Sequence, residues 1–564
     1  MLTAITKLAV KFYTDKKYLF LFLWIGVFTI YLPSYQGGFF SDYRGFLAEH
    51  QRLPFVEFLN LNPSSLYQDV NLVHYIFISL FGTNPIPYYL IFISLHALNG
   101  CLAFQFFRRF FLTLGWQANN LKIPLLLGIC IWVFSPLMVE VLVWKACIHY
   151  LITVAMMLFM LNWLIQYFET KHRKYIWGIL VLYYCSTFFL EYFYLIPIYI
   201  LAISLSLFLG KKIQRSVFVK SIWFILIPSV LIWLLYYVTL YLNSGQLVAR
   251  VSAETIDYSV LGTVTKLNKY VIHIYLMEYL LPSSMRSTLY SFAETNLAVI
   301  ILFAASLAII VYGLITFPRL SAVKKSIIVL FVLAFCSCSA MLPMWFYDRF
   351  QFEGDRYYYL PSLFFYMLLS ILLTAGGRKV KARIILGLIY LLTHIFATVY
   401  LVINVRNASI IFSKIAADYR WHDKEKVLLL NLPIFYKGVP ILSAEEESNF
   451  ANHLNLFNPK KNQAKTYDVL AYNMVGRYDG AHVTVLDSVT IKVSLSQPGS
   501  WWWYKQFGAA DYANEMYTLT MVENGTNYLL RLKEKPSAGT VLLYLVGGDN
   551  WKEVDMTKIN VEQW

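Results

Sequence analysis

The chain has 564 residues, of which 59% are hydrophobic and only 14% charged. Its mean hydropathy of +0.55 excludes an ordinary soluble globular protein, which has no use for so much apolar surface. The net charge of +15 does not mark a nucleic-acid binder, because Lys and Arg sit in short clusters between apolar runs, the pattern that orients membrane helices.

Lys7, Lys11, Lys16 and Lys17 place the N-terminus in the cytoplasm, and residues 18–35 supply roughly the 20 apolar residues that cross a bilayer. This span lacks a small-residue cleavage site, so it is expected to be a retained first helix. The outer loop 36–87 follows and opens with QGGFFSDYRGFLAEHQR. Asp42 is its first acidic residue, with Arg44 two positions on. A carboxylate on a Gly-led loop just outside a membrane helix is poorly placed for lipid contact and well placed for chemistry, although a solvated loop acid reads the same way. Later in the loop VNLVHYIFISLFG carries His74, is too short to span, and is expected to lie along the outer surface.

Further spans are expected at 88–107, stopping at Arg108 and Arg109, and at 121–138, with Glu140, Lys145 and His149 at the outer turn. Others follow at 151–167, 175–190 up to Glu191, 192–210 and 221–242. In the long outer segment 243–295, the apolar stretch 270–281 is broken by His273, Glu278 and Pro282 and reads as re-entrant or peripheral. Spans at 296–316, 327–346, 357–374 and 384–405 bring the total to about eleven. Basic clusters fall on every second loop, which puts Asp42, Glu140, Glu191 and Asp355 on the outer side. His96, mid-span with Asn99 near it, reads as a polar group for helix packing.

After Val405 the composition changes. VLLLNLP, HVTVLDSVTIKVSL, YTLTMV, NYLLRL and TVLLYLV read as strands separated by polar turns. The expected organisation is a transmembrane domain over 1–406 and a β-rich extracytoplasmic domain over 407–564. The aromatic run 500–504 suits sugar stacking, a membrane-facing patch or core packing. Six Cys lie in or beside apolar spans with no disulfide or zinc spacing.

Four segments carry a resemblance: FFSDYRGFL; LFGTNPIPYYLIFISLHALNGCLAFQFFRRF; SPLMVEVLVWKACIHYLITVAMMLF with FFLEYFYLIP after it; and FEGDRYYYLPSLFF. In this order the chain resembles the membrane half of GT-C glycosyltransferases over about residues 18–374. The likeness is greatest to protein O-mannosyltransferases and the transmembrane tetratricopeptide O-mannosyltransferases. The D-R-Y-x-Y-L-P pattern is its specific part. Ser41 precedes Asp42 where the family often has two adjacent acids, Asp69-Val70 replaces an Arg-Pro or His-Pro pair, and no tetratricopeptide repeats follow. The resemblance implies a polyprenyl-phosphate sugar donor, attacked on the outer face of the membrane.

The residues suit that chemistry in their own right. Transfer from a lipid phosphate requires a base for the acceptor hydroxyl and cations for the departing phosphate. Asp42 is the candidate base, and Arg356 is the foremost phosphate ligand, with Arg349 and Lys145 behind it. The bland reading of Arg356 is an ion pair with Asp355 or Glu353, or snorkelling. Arg44, Glu140, His149, Glu191, Asp355, Tyr357 and His74 are candidate substrate contacts. Glu140 could equally pair with Lys145. No cofactor is expected: Asp42, Glu140 and a His could gather around a divalent metal, but no ligand spacing supports one. The expected function is an inverting glycosyltransferase whose acceptor is a protein, a lipid or a glycan. It is expected in a membrane, read as a bacterial inner membrane, with its site facing the periplasm or outside. The rivals are a transferase decorating a lipid or cell-surface polysaccharide, and a lipid or glycan transporter, which should show inverted repeats or broken mid-membrane helices with buried charges, neither of which is visible in the sequence.

Overall fold

A computed structural model of the chain describes residues 10–13, 15–35, 37, 43–61, 68–189, 191–245, 260–276, 296–339, 354–375, 380–437, 439–441, 466–475, 481–495, 502–503, 511–522, 527–546 and 550–556, with single positions at 285, 288, 291–292, 450 and 454. The chain forms two compact units. The first comprises Met1–Leu32, Phe55–Phe350 and Gly354–Val402, and the second Pro33–Pro54, Gln351–Glu353 and Ile403–Trp564.

The helices in chain order are α1 (Lys16–Tyr31), α2 (Tyr43–Arg52), α3 (Phe55–Leu59), α4 (Gln68–Phe81), α5 (Pro85–Leu114), α6 (Ala118–Val133), α7 (Val139–Val143), α8 (Ile148–Thr170) and α9 (Lys174–Ser186). They continue with α10 (Leu195–Leu209), α11 (Arg215–Ser221), α12 (Ile227–Ser244), α13 (Val260–Leu276), α14 (Asn296–Thr316), α15 (Ala322–Ser339), α16 (Pro361–Thr374) and α17 (Val380–Ala417). Among the described residues 7 helices are long and apolar enough to cross a membrane, or 8 if α6 and the bent segment after it count as one span. The first unit is therefore a polytopic bundle of an integral membrane protein. Each apolar stretch taken as a span contains a helix, that at 121–138 being broken at Ser135, but α9, α15 and α16 are not among these long spans. With 13 and 14 residues, α9 and α16 reach only about 20 Å, against a hydrocarbon core of about 30 Å. The stretch read as re-entrant at 270–281 belongs, up to Leu276, to α13, which starts earlier, at Val260.

Local chemistry sets the helix ends that matter for the site. α5 starts where Asn84 accepts from the Ile86 N–H at 3.2 Å, with Pro85 at the first position. It ends at Gly115, whose φ of 107° only glycine adopts without strain. α6 stops because Pro136 disfavours helical geometry at Ser135, which is extended at ψ 142° and caps the next turn through Leu137 N–H. The chain bends there by 51° and re-enters as Pro136–Val143. Small residues let helices approach closely: a Cβ on Gly128 of α6 would lie 2.8 Å from Ser370 Oγ and 3.2 Å from Met367 Cα of α16. His96 and Asn99 of α5 do serve packing. His96 Nε2 donates to Val133 O at 3.0 Å, so its Nδ1 accepts from Tyr359 OH at 2.7 Å, and Asn99 donates to the same oxygen at 3.1 Å.

The second unit contains α2, the end of α17, and the strands β1 (Lys426–Leu429), β2 (Leu432–Tyr436), β3 (Val439–Pro440), β4 (Thr466–Val469), β5 (Tyr472–Val475), β6 (Ala481–Val485) and β7 (Thr490–Leu495). It also contains β8 (Trp502–Trp503), β9 (Tyr512–Ala513), β10 (Tyr517–Val522), β11 (Asn527–Leu532), β12 (Thr540–Val546) and β13 (Asn550–Glu553). The region after α17 is thus strand-rich. Its sheets run β13-β12-β1-β4, β3-β2-β5-β8 and β6-β7-β11-β10-β9. The β6–β7 hairpin turns on Asp487, which accepts from Val489 and Thr490 N–H, both at 2.8 Å. β1 runs into β2 across Leu430-Asn431, and β4 into β5 across Leu470-Ala471. The two chains stay parallel through the bend, with Leu470 N–H on Leu429 O at 2.8 Å and Leu432 N–H on Ala471 O at 3.0 Å. Asn431 holds the bend: its amide donates to Leu545 O at 3.3 Å and accepts from Leu545 N–H at 2.8 Å, replacing a ladder pair.

Asn431→Ala would leave the buried Leu545 N–H without this acceptor, a loss of about 1–3 kcal/mol. In the detergent-solubilised full chain, amide exchange over 540–546 should quicken while 481–495 keeps its protection. Unchanged exchange across β12 would show that the bend does not need this side chain.

Candidate functional site

The bend after α6 carries the site. Glu140 lies on α7, the short helix behind the bend, and is 0% exposed. Its carboxylate is met by one turn of chain, Gly354–Arg356. Oε2 accepts the Arg356 backbone N–H at 2.6 Å, Oε1 accepts the Gly354 N–H at 3.4 Å, and the Arg356 guanidinium closes an ion pair through Nη1. Gly354 enters this turn at φ 104°. The guanidinium also donates to Tyr357 OH at 3.2 Å, and its Cζ lies 4.7 Å from the ring centres of both Trp144 and Tyr357. Burial opposes the Arg356 charge, but Tyr357 and Glu140 outweigh it and hold its pKa above the ordinary guanidinium value.

The Trp144 indole Nε1–H is buried and makes no hydrogen bond. Lys145, next in the chain, is 2% exposed, and its ammonium lies 5.3 Å from the ring centre of Phe92. Among the described residues no carboxylate pairs with it. A buried ammonium without a counter-charge is costly, and an anion beside it would offset that cost. Around it, the His149 ring lies tilted against Tyr150, centres 4.6 Å apart, and is tied through Nδ1 to Ala146 O at 2.8 Å. Tyr150 meets Tyr192 at 5.8 Å and Tyr357 at 6.3 Å. Tyr192 donates to Tyr357 O at 2.7 Å.

The structure therefore gathers Glu140, Arg356 and Tyr357 in direct contact, with Lys145 and His149 on the adjoining turn. Glu140, expected against a sugar or Lys145, holds Arg356, and Arg356 pairs across the bundle rather than with Asp355. Asp355 is buried and faces His273 of α13, whose Nε2 is 2.8 Å from Oδ1. Glu191 opens the turn Glu191–Tyr194, where only its backbone is described. Asp42 and Arg349 lie outside the described residues. Arg44 belongs to the second unit. It is 2% exposed, its Cζ is 3.4 Å from the Phe412 ring centre, and burial pushes its guanidinium pKa down. His74 faces inward from α4, and burial pushes its imidazole down to about 3. Among the described residues no three His, Cys, Asp or Glu side chains cluster as a metal site.

Trp144, Tyr150, Tyr192 and His273 were not anticipated as parts of the site. Trp144 and Tyr192 directly adjoin Lys145 and Glu191, a signal masked by the abundance of aromatics, 18% of the chain.

No family model matches this chain, and no curated protein matches it. The likeness to GT-C enzymes rests on its motifs alone.

Glu140→Gln keeps the shape but strands the Arg356 charge. It should destabilise the full chain by about 3 kcal/mol, read as a lower Tm in detergent. Pairing it with Arg356→Gln should recover part of that loss; additive losses would mean that the two do not act as a pair. His74 has a depressed folded pKa, so its unfolded form gains a proton first as pH falls. Its share of stability is complete above about pH 6.5 and is lost progressively towards its folded value, about 3. The Tm of His74→Gln should accordingly fall less steeply with acid than that of the wild type over this range.

Proposed function

We propose that this chain is an inverting glycosyltransferase of the GT-C type, with an eleven-span membrane domain and a polyprenyl-phosphate sugar as donor. The observation that carries this reading is the buried Trp144 Nε1–H, which has no acceptor, next to the Lys145 ammonium, which pairs with no carboxylate among the described residues, beside the Glu140–Arg356 pair. Such a turn suits a sugar-linked phosphate, whose negative charge grows as it leaves. Glu140 holds Arg356 in place, and Lys145, which pairs with no carboxylate among the described residues, is left to meet the phosphate.

In the proposed reaction Asp42 takes the proton of an acceptor hydroxyl, whose oxygen attacks the anomeric carbon. The bond from that carbon to the phosphate oxygen breaks, and the electron pair leaves with the phosphate towards Lys145 and Arg356. One displacement inverts the anomeric centre. Tyr357, Tyr150 and His149 lie where they could flank the sugar, and Arg349 joins the phosphate ligands in this reading. The exposed Leu72, Ile76 and Leu80 on one stripe of α4, opposite buried Asn71 and His74, support a helix lying on lipid. The site and the β-rich region face the periplasm or exterior of a bacterial inner membrane. The acceptor hydroxyl belongs to a protein in the preferred reading, or to a lipid or cell-surface glycan.

The test is sugar transfer from a polyprenyl-phosphate donor to membrane extracts by purified variants. Lys145→Gln should weaken donor binding by about tenfold or more, the worth of one charge-assisted contact. Asp42→Asn should keep donor binding and lose about a hundred- to ten-thousand-fold in turnover. Normal transfer by both variants would sink the assignment. Absence of any transfer, with Asp42→Asn blocking lipid movement across the bilayer, would establish the transporter instead.

A further inference from the structure

We propose that the helical unit holds a second anion site, for a phosphate ester, formed by Tyr13, Arg108, Arg109 and Lys122. It lies at the opposite end of α6 from the Glu140 turn, about 24 Å away along a 16-residue helix. It does not depend on the transferase reading.

Three chain ends meet there: the approach to α1, the end of α5 and the start of α6. Lys16 Nζ donates to Gln105 Oε1 at 3.1 Å and ties α1 to α5. The Arg108 Cζ lies 4.3 Å from the Tyr13 ring centre, and Lys122 Nζ lies 5.9 Å from the same centre. Tyr13 is 7% exposed, and its hydroxyl has no hydrogen-bond partner. Arg108 Nε and Arg109 Nη1 are likewise buried without an acceptor. Lys122 donates to Asn119 Oδ1 at 2.9 Å. Among the described residues no carboxylate pairs with Arg108, Arg109 or Lys122. The acid nearest in sequence to Tyr13, Asp15, caps α1 by accepting from Lys17 N–H at 2.9 Å. Gln117, at the start of α6, makes no side-chain cap.

A cluster that only set membrane orientation would keep its charges in water. Here two cations converge on one ring, and three polar atoms are withdrawn from water with nothing to accept their protons. A like-charged group of this kind is stable when an anion completes it. A tetrahedral phosphate matches the set: the Arg108 and Arg109 guanidinium groups donate in forks, Lys122 adds a point charge, and the Tyr13 hydroxyl a fourth donor. At the ends of membrane helices the same chemistry is offered by the phosphate of an anionic phospholipid headgroup and by a soluble phosphate ester.

The full chain in neutral detergent is titrated with dioleoylphosphatidylglycerol and, separately, with inorganic phosphate, and bound lipid is counted by native mass spectrometry. The wild type should retain the lipid. Arg108→Gln and Lys122→Gln should each bind about tenfold more weakly. Tyr13→Phe, which removes one oxygen and keeps the ring, should also weaken binding and carries the test if the charge variants do not fold. Arg173→Gln removes a charge outside the cluster and should bind like the wild type. Displacement of the lipid by inorganic phosphate identifies a soluble ester as the ligand. Binding of the lipid undisturbed by phosphate identifies the headgroup, and both results support the site. Retention of the lipid by Arg108→Gln and Tyr13→Phe overturns it, as does an equal loss in Arg173→Gln or no binding by the wild type.

Discussion

A carboxylate with no exposed surface, inside a bundle of apolar helices, has to be satisfied from within, and Glu140 is satisfied by a single turn of chain. The rest of the centre follows from that contact. Because Gly354 and Arg356 are fixed to Glu140, Asp355 between them is directed to His273 and draws α13 into the bundle. The carbonyl of Tyr357, the next residue, receives the hydroxyl of Tyr192 and fixes the turn Glu191–Tyr194. Segments far apart in sequence are registered on one another through one charge. Such a pair adds little net stability compared with a well-packed apolar substitute, but loss of either partner leaves the other stranded.

The helices were legible because their signal is local. Long apolar runs between basic clusters form helices here, but the span read as continuous over 121–138 breaks at Ser135-Pro136, the bend that positions Glu140. Of the five segments read as strands, YTLTMV, NYLLRL and TVLLYLV are single strands, HVTVLDSVTIKVSL folds as the β6–β7 hairpin, and VLLLNLP runs from β1 through the bend into β2. The short β4 and β5, TYDV and YNMV, went unread, since their parallel pairing with β1 and β2 is made across long connections and leaves no hairpin signal.

The individual site residues were legible, and their partners were not. The ion pair of Arg356 was sought among adjacent acids, Asp355 and Glu353, yet it forms with Glu140, 216 positions away. The partner of Asp355 lies 82 positions away on a helix whose His273 read only as an interruption of an apolar stretch. Sequence spacing ranks neighbours within a helix or loop and says nothing about which loops converge. Arg44 shows the same gap from the other side: a loop cation reads as a free ligand, while its long side chain is withdrawn from water over Phe412.

The bend at Leu430-Asn431, with its counterpart at Leu470-Ala471, has a consequence for how the second unit comes apart. Two sheets there are not separate layers joined by loops, since the same two chain segments run through both. Neither sheet can lose the pair made by these segments while the other keeps its own register. These two sheets therefore behave as one cooperative block around their shared segments. Damage at one edge spreads through backbone pairing rather than stopping at a sheet boundary.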